Sequence, residues 1–177
     1  RSPIYCDNRL VLSFPSVRTL IEEGIAETVK REYPEAEALF GTATAGIAHA
    51  AIAAQFLGLP MGYVRGKAKD HGRKNRIEGR LSKGEKVVVI EDLISTGGSV
   101  LDCVEALREE GAEVLGIVSI FTYGMKERLD SAKVRNKSLC ELDTLLKVAL
   151  RKGYIRPEDE GKLLRFRDDP ADESWMR

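Results

Sequence analysis

Val87-Val88-Val89-Ile90-Glu91-Asp92-Leu93-Ile94-Ser95-Thr96-Gly97-Gly98-Ser99 is the stretch whose reading decides the fold. The four β-branched residues at its head predict a buried strand, because both faces of such a run avoid water. Two adjacent carboxylates follow, and then a turn of residues with small or no side chains. After Ser99 the spacing becomes helical, with Val100, Val104 and Leu107 on one face and Leu101 beside them. Together these parts make an anion cradle. N–H groups at a helix N-terminus point at a phosphate, and only small residues let it come close. Carboxylates repel a phosphate, so the acidic pair must serve another part of the same molecule. Acceptor oxygens beside a phosphate nest suit the hydroxyls of a phosphorylated sugar, or a metal bridging sugar and phosphate.

Outward from this stretch, strands and helices alternate. Val17, Leu20, Ile21, Ile25 and Val29 predict an amphipathic helix over 16–33, ended by Pro34. Ala38-Leu39-Phe40 is a short strand leading into the turn Gly41–Gly46. A helix over 47–57 and a strand over 61–65 come next. Residues 66–80 show no apolar period and read as a long loop. Beyond the helix over 98–110, a strand is expected over 114–121, a helix near 125–134 and a strand near 138–142. Helices over 144–150 and 157–166 close the pattern, with an acidic tail from Asp168. Such alternation with short connectors implies an α/β fold with a parallel sheet covered on both faces. Ligands in such sheets bind outside the carboxyl ends of the strands, where the turn 41–46, the loop 66–80 and the turn 91–99 converge.

Bulk properties narrow the class. The 177 residues favour one domain. Lys+Arg and Asp+Glu are both 28, so the net charge of zero argues against general nucleic-acid or membrane-surface binding. Cys6, Cys103 and Cys140 are scattered, without C-x-x-C spacing, and read as reduced thiols of a cytoplasmic protein. Cys103 falls beside Val104 and is expected in the core. The longest weakly polar run, from Gly46 to Val64, is interrupted by His49, Gln55 and Pro60, and reads as a buried helix plus a strand. The chain opens on Arg1-Ser2-Pro3 without a Met, and a segment ahead of Arg1 is expected.

Two further constellations carry chemistry. Thr42, Ala43, Thr44, Ala45 and Gly46 form a second turn of small residues whose N–H groups suit another anion, such as a pyrophosphate. It is not a Walker A loop, since no Gly-Lys-Ser/Thr follows. From Arg65 to Arg80 there are seven Lys/Arg against two acids, with glycines at 66, 72 and 79. A cationic loop of this length beside an anion site suggests a lid over polyphosphate, favouring negative charge on a departing group. His71 lies in that loop between Asp70 and Gly72. His49, on the alanine-rich helix, reads as structural.

The stretch from Val87 to Ser99 resembles the PRPP-binding signature of the type I phosphoribosyltransferases. The resemblance implies their fold, a central mainly parallel sheet flanked by helices with a small N-terminal hood. It implies one domain over 1–177, with hood elements at about 1–15 and in the C-terminal region. Glu91 and Asp92 would hold the ribose hydroxyls and Ser95, Thr96, Gly97, Gly98 and Ser99 the 5'-phosphate, with Leu93 and Ile94 in the same PRPP-binding stretch. The spaced Lys69, Asp70, His71 and Gly72 after Arg65, closed by Ile77-Glu78-Gly79, resemble the catalytic loop of the orotate-specific members. Ser2-Pro3-Ile4-Tyr5-Cys6-Asp7-Asn8-Arg9 resembles their hood.

That resemblance implies catalytic roles for Lys69, His71 and Asp92, and PRPP contacts from Arg65, Lys67, Lys69 and His71. It places Ser95 and Tyr5 near orotate. Arg9 is offered for the orotate carboxylate, which a bidentate guanidinium suits. Some members carry Lys where this chain has Gly66 or Ala45; Lys67 stands one step on. The implied reaction is transfer of the ribose 5-phosphate of PRPP to orotate, yielding orotidine 5'-monophosphate and pyrophosphate in UMP synthesis. The implied cofactor is Mg2+, held mainly by PRPP and not by direct protein ligands. The implied assembly is a cytoplasmic homodimer sharing the basic loop, with no nucleic-acid or membrane partner. Another base (adenine or uracil) and a non-catalytic PRPP-sensing regulator are the alternatives.

Overall fold

The computed structural model describes residues 6–66, 76–124, 129 and 131–168. A 3-10 turn, Asn8–Ser13, leads into helix α1 (Pro15–Glu32), where Pro15 supplies a preset φ at the first position. Strand β1 (Ala38–Thr42), helix α2 (Ala45–Leu57) and strand β2 (Met61–Val64) follow. Then come β3 (Ile77–Glu78), β4 (Lys86–Ile94), α3 (Gly98–Glu109) and β5 (Glu113–Thr122). Strand β6 (Arg135–Glu141) runs directly into α4 (Leu142–Arg151), and α5 (Pro157–Asp168) ends the described chain.

The six strands lie in the order β3-β2-β1-β4-β5-β6. All neighbours are parallel except β2 and β3. The chain travels outward from β1 to β2 and returns to place β4 on the other side of β1. The strand order therefore reverses between β1 and β4, and the crevice at their carboxyl ends is the expected ligand position.

Burial explains the apolar run. Val87, Val88, Val89 and Ile90 are all fully buried. Val87 and Val89 face one core with Phe40, Val100, Val104 and Leu107. Val88 and Ile90 face a second with Ile25, Val29, Leu39, Ala50 and Ala53. Helix α3 thus covers one face of the sheet, and α1 with α2 the other. A third cluster joins Phe121, Tyr123, Leu142, Leu146, Leu163 and Phe166, with Cys6 and Leu93 packed against it. It gathers α4, α5 and the start of the described chain around the end of β5.

Several boundaries differ from the sequence expectation. Strand β4 does not stop before the acids but runs through Glu91 and Asp92 to Ile94, since Leu93 and Ile94 pair with Phe121 and Thr122 of β5. Helix α2 begins at Ala45, so Ala45 and Gly46 are its first turn and only Ala43 and Thr44 remain between strand and helix. The loop expected over 66–80 contains β3, whose Ile77 and Glu78 pair antiparallel with Val64 and Tyr63. Strand β6 starts at Arg135, earlier than the expected 138. Of the helix expected near 125–134, residues 125–128 and 130 lie outside the described residues, and so does the acidic tail after 168. No helix among the described residues is long and apolar enough to cross a membrane.

Candidate active site at the β1–β4 crevice

Both small-residue turns end on adjacent parallel strands. Gly41 of β1 stands opposite Ile90 of β4, and the Thr42 hydroxyl donates to the Ile90 carbonyl at 3.4 Å. The first turn of α2 presses against the same strands. A Cβ on Gly46 would lie 2.5 Å from the Ile90 carbonyl oxygen and 2.6 Å from Thr42 Oγ1. A Cβ on Gly41 would lie 2.7 Å from the Gly46 oxygen. Only glycine permits this approach. The Ala43–Thr44 peptide is cis.

After Ile94 the chain turns through Ser95 and Thr96 to Gly97, which has φ 76° and is the N-cap of α3. That left-handed conformation favours glycine. With no side chain at the cap, the first N–H groups of α3 receive no side-chain acceptor from it. Ser95, Thr96, Gly98 and Ser99 are exposed around them. An anion placed here meets backbone donors and the positive end of the helix dipole.

Between the two turns stand the acids. Glu91 is 6% exposed. Burial first, and then the hydrogen-bonded Asp92 carboxyl, push its pKa up to about 8, while the Thr42 hydroxyl opposes the rise. The Asp92 amide donates to Glu91 Oε1 at 3.0 Å. From the other end of the chain, Asn8 Nδ2 donates to the Asp92 carbonyl at 2.8 Å, seating the segment 6–13 beside the acidic pair. Asn8 is 7% exposed, and nothing in its local sequence marks it for this contact.

The arrangement is two small-residue turns flanking the adjacent acids Glu91 and Asp92 at a topological switch point. A family model described as a phosphoribosyl transferase domain matches residues 15–148. The chain belongs to the phosphoribosyltransferase family. Among proteins similar to it, the orotate phosphoribosyltransferase of Bacillus cereus strain G9842 is 56% identical over 99% of this chain and 85% of that protein. That of Bacillus cytotoxicus is 57% identical over the same shares. The crystal structure of orotate phosphoribosyltransferase from Aeropyrum pernix matches with a TM-score of 0.79 at 32% identity, covering 88% of this chain and 87% of that one.

In this phosphoribosyltransferase the remaining residues singled out by sequence fall into three groups. Tyr5, Lys67, Lys69 and His71 lie outside the described residues. Arg65 closes the end of β2: its amide donates to the Arg76 carbonyl at 2.8 Å, and its guanidinium pairs with Glu78 at 3.2 Å. Arg9 holds Asp7 with a fork, Nε to Oδ1 at 2.7 Å and Nη2 to Oδ2 at 3.0 Å, and its side chain is 58% exposed. Ile94 is buried with Val100, Val104 and Leu129, so its side chain serves the core, and Leu93 packs on the third cluster. Arg76, counted by sequence only as one cation of the loop, forks onto Asp102 of α3 and donates Nε to the Arg65 carbonyl at 3.2 Å.

Cys103 is buried in the first core, as its place beside Val104 suggested. Burial, followed by the nearby Glu91 charge, pushes its thiol up to about 12. A thiol so held carries almost no thiolate at neutral pH. With a chromogenic disulfide reagent at pH 8, Cys103 is therefore expected to react only after denaturation. The half-buried Cys6 and Cys140 should react first, and rapid native-state labelling of Cys103 would contradict this packing.

Proposed function

We propose that this chain transfers the ribose 5-phosphate of PRPP to orotate, giving orotidine 5'-monophosphate and pyrophosphate for pyrimidine synthesis. The observation that carries the reading is the pair of small-residue turns on β1 and β4, set on either side of Glu91 and Asp92. One molecule with two anionic ends and a ribose between them suits that order of donors and acceptors. The 56% identical relative named for this reaction supports the choice of base.

The α3 turn, Ser95–Ser99, takes the 5'-phosphate on its N–H groups, Glu91 and Asp92 accept from the ribose hydroxyls, and the α2 turn receives the diphosphate. In the reaction the C1–O bond breaks, with its electron pair leaving on pyrophosphate. Deprotonated N1 of orotate supplies the pair for the new C1–N bond. Orotate loses that proton easily, so positioning and electrostatics account for most of the catalysis. Mg2+ would be held mainly by oxygens of PRPP, beside the acids that take the ribose hydroxyls. Bound there, Mg2+ would offset the charge of the diphosphate.

For the cations Arg65, Lys67, Lys69 and His71 the support is the sequence resemblance: positive charge beside the turn favours negative charge on the leaving group. Ser95 and Tyr5 are assigned to orotate on the same ground, and Arg9 to its carboxylate because a bidentate guanidinium suits it. For Arg9 this means exchanging the Asp7 carboxylate for that of the substrate. A homodimer sharing the basic loop, a cytoplasmic location and a hood formed by residues 1–15 with the C-terminal helices complete the proposal.

Protein, PRPP, Mg2+ and each of orotate, adenine and uracil should be mixed separately, and loss of the base followed by absorbance. Orotate alone is expected to disappear, and only when PRPP and Mg2+ are both present. Consumption of another base, or PRPP binding with no turnover, would overturn the assignment.

A further inference from the structure

Behind the α2 turn lies a polar pair that the reaction does not use. His49, one turn into α2, and Glu22, in the middle of α1, are both fully buried, and His49 Nδ1 lies 2.5 Å from Glu22 Oε1. Their other polar atoms, His49 Nε2 and Glu22 Oε2, have no hydrogen-bond partner among the described residues. An ionisable pair with half its capacity unsatisfied is a poor source of stability, and well-packed apolar residues often serve as well or better. Its use must be sought elsewhere.

The N-terminal half of helix α2 has few large side chains to fix its position. The helix packs on the sheet through Ala50, Ala53 and Ala54, with Leu57 only at its far end, so toward its N-terminus small side chains interdigitate little and resist sliding or rotation weakly. Its N-terminus has no side-chain cap. Yet its first turn, at Gly46, must sit close against the Ile90 carbonyl and the Thr42 hydroxyl. A short directional bond from the next turn to α1 supplies the missing constraint.

We propose that His49 and Glu22 are positioning residues that set the α2 turn at the depth and rotation required to receive pyrophosphate. This rests on the proposed function, which gives that turn to the diphosphate. The pair acts through the helix and touches no substrate.

The test compares the parent with the double variant Glu22→Leu/His49→Leu and with Glu22→Gln, which keeps an acceptor for the imidazole. Measured are KM for PRPP, KM for orotate, inhibition by pyrophosphate and the melting temperature. In the double variant, KM for PRPP and the pyrophosphate inhibition constant are expected to rise about fivefold or more, from loosened placement of the turn. KM for orotate should stay within about twofold, and the melting temperature should equal or exceed the parent's. Glu22→Gln should restore the PRPP value. Unchanged PRPP and pyrophosphate constants in the double variant, or a loss of stability alone, would overturn the proposal. Should that variant not fold, Glu22→Met/His49→Phe, which fills the same space with larger apolar side chains and still removes the bond, is read by the same ratio of constants. Calorimetric titration with magnesium pyrophosphate keeps the two readings apart. A parent that binds pyrophosphate but consumes no orotate refutes the reaction, while the variants' pyrophosphate affinities still decide the role of the pair.

Discussion

Gly46→Ala is expected to cost about 1–3 kcal/mol of stability and about 100-fold in kcat/KM for PRPP. On helix propensity alone the change should help by about 1 kcal/mol, since Gly46 is inside α2. The close contacts decide the sign. The new methyl would lie 2.5 Å from the Ile90 oxygen and 2.6 Å from Thr42 Oγ1, and Ile90 is main chain at the centre of the sheet. Neither can retreat cheaply, so α2 must back away from β4 and carry its N–H groups with it. A misplacement of about 1 Å is enough for a loss of that size. Thermal melts followed by circular dichroism, with steady-state kinetics, check both parts. Gly66→Ala is the control for stability: nothing among the described residues lies within 4 Å of its Cβ position, and its stability change is expected to stay within about 0.5 kcal/mol. A fully stable, fully active Gly46→Ala protein would mean that the α2 turn is not packed as described.

Glu91→Gln is expected to make the ligand-free protein more stable and a poorer enzyme. The folded state raises the Glu91 pKa from 4.5 to about 8, chiefly through burial. Below about pH 4.5 both folded and unfolded chains hold the proton, and the glutamate carries no penalty. Between those values the folded state keeps a proton that the unfolded chain has released, so stability falls as pH rises. The slope attributable to this residue is on the order of 1 kcal/mol per pH unit. Glutamine does not titrate. The melting temperature of the variant should therefore pull ahead of the parent's from about pH 5 upward and stop gaining near pH 8. Above about pH 8, where Glu91 is a carboxylate with two acceptor oxygens and the amide presents one, the variant's kcat/KM for PRPP should fall about tenfold or more below the parent's. A stability gap independent of pH would show that burial does not raise the proton affinity of Glu91.

Much of this could be read from short stretches. The run Val87–Ile90 lies in β4, the periodic apolar residues after Ser99 lie in α3, and Gly97 adopts the left-handed conformation that a tight turn after a strand demands. Other features were not legible, because their causes are distant in sequence. Leu93 and Ile94 extend β4 past the acids only because β5 supplies partners for them. The two residues of β3 are a strand only by pairing with β2. Asn8 meets Asp92 across 84 positions, and the structural reading of His49 could not name Glu22, a residue on another helix, as its partner.

The amino-acid order alone settled the alternation of strands and helices, the two small-residue turns and the acids between them. These depend on local backbone preference and on the spacing of apolar side chains. Which turns stand side by side, how deeply Glu91 is buried and what holds α2 in place were decided by tertiary structure. Proton affinity and close backbone approach depend on neighbours brought in from other strands and helices, and those neighbours exist only once the sheet has closed around them.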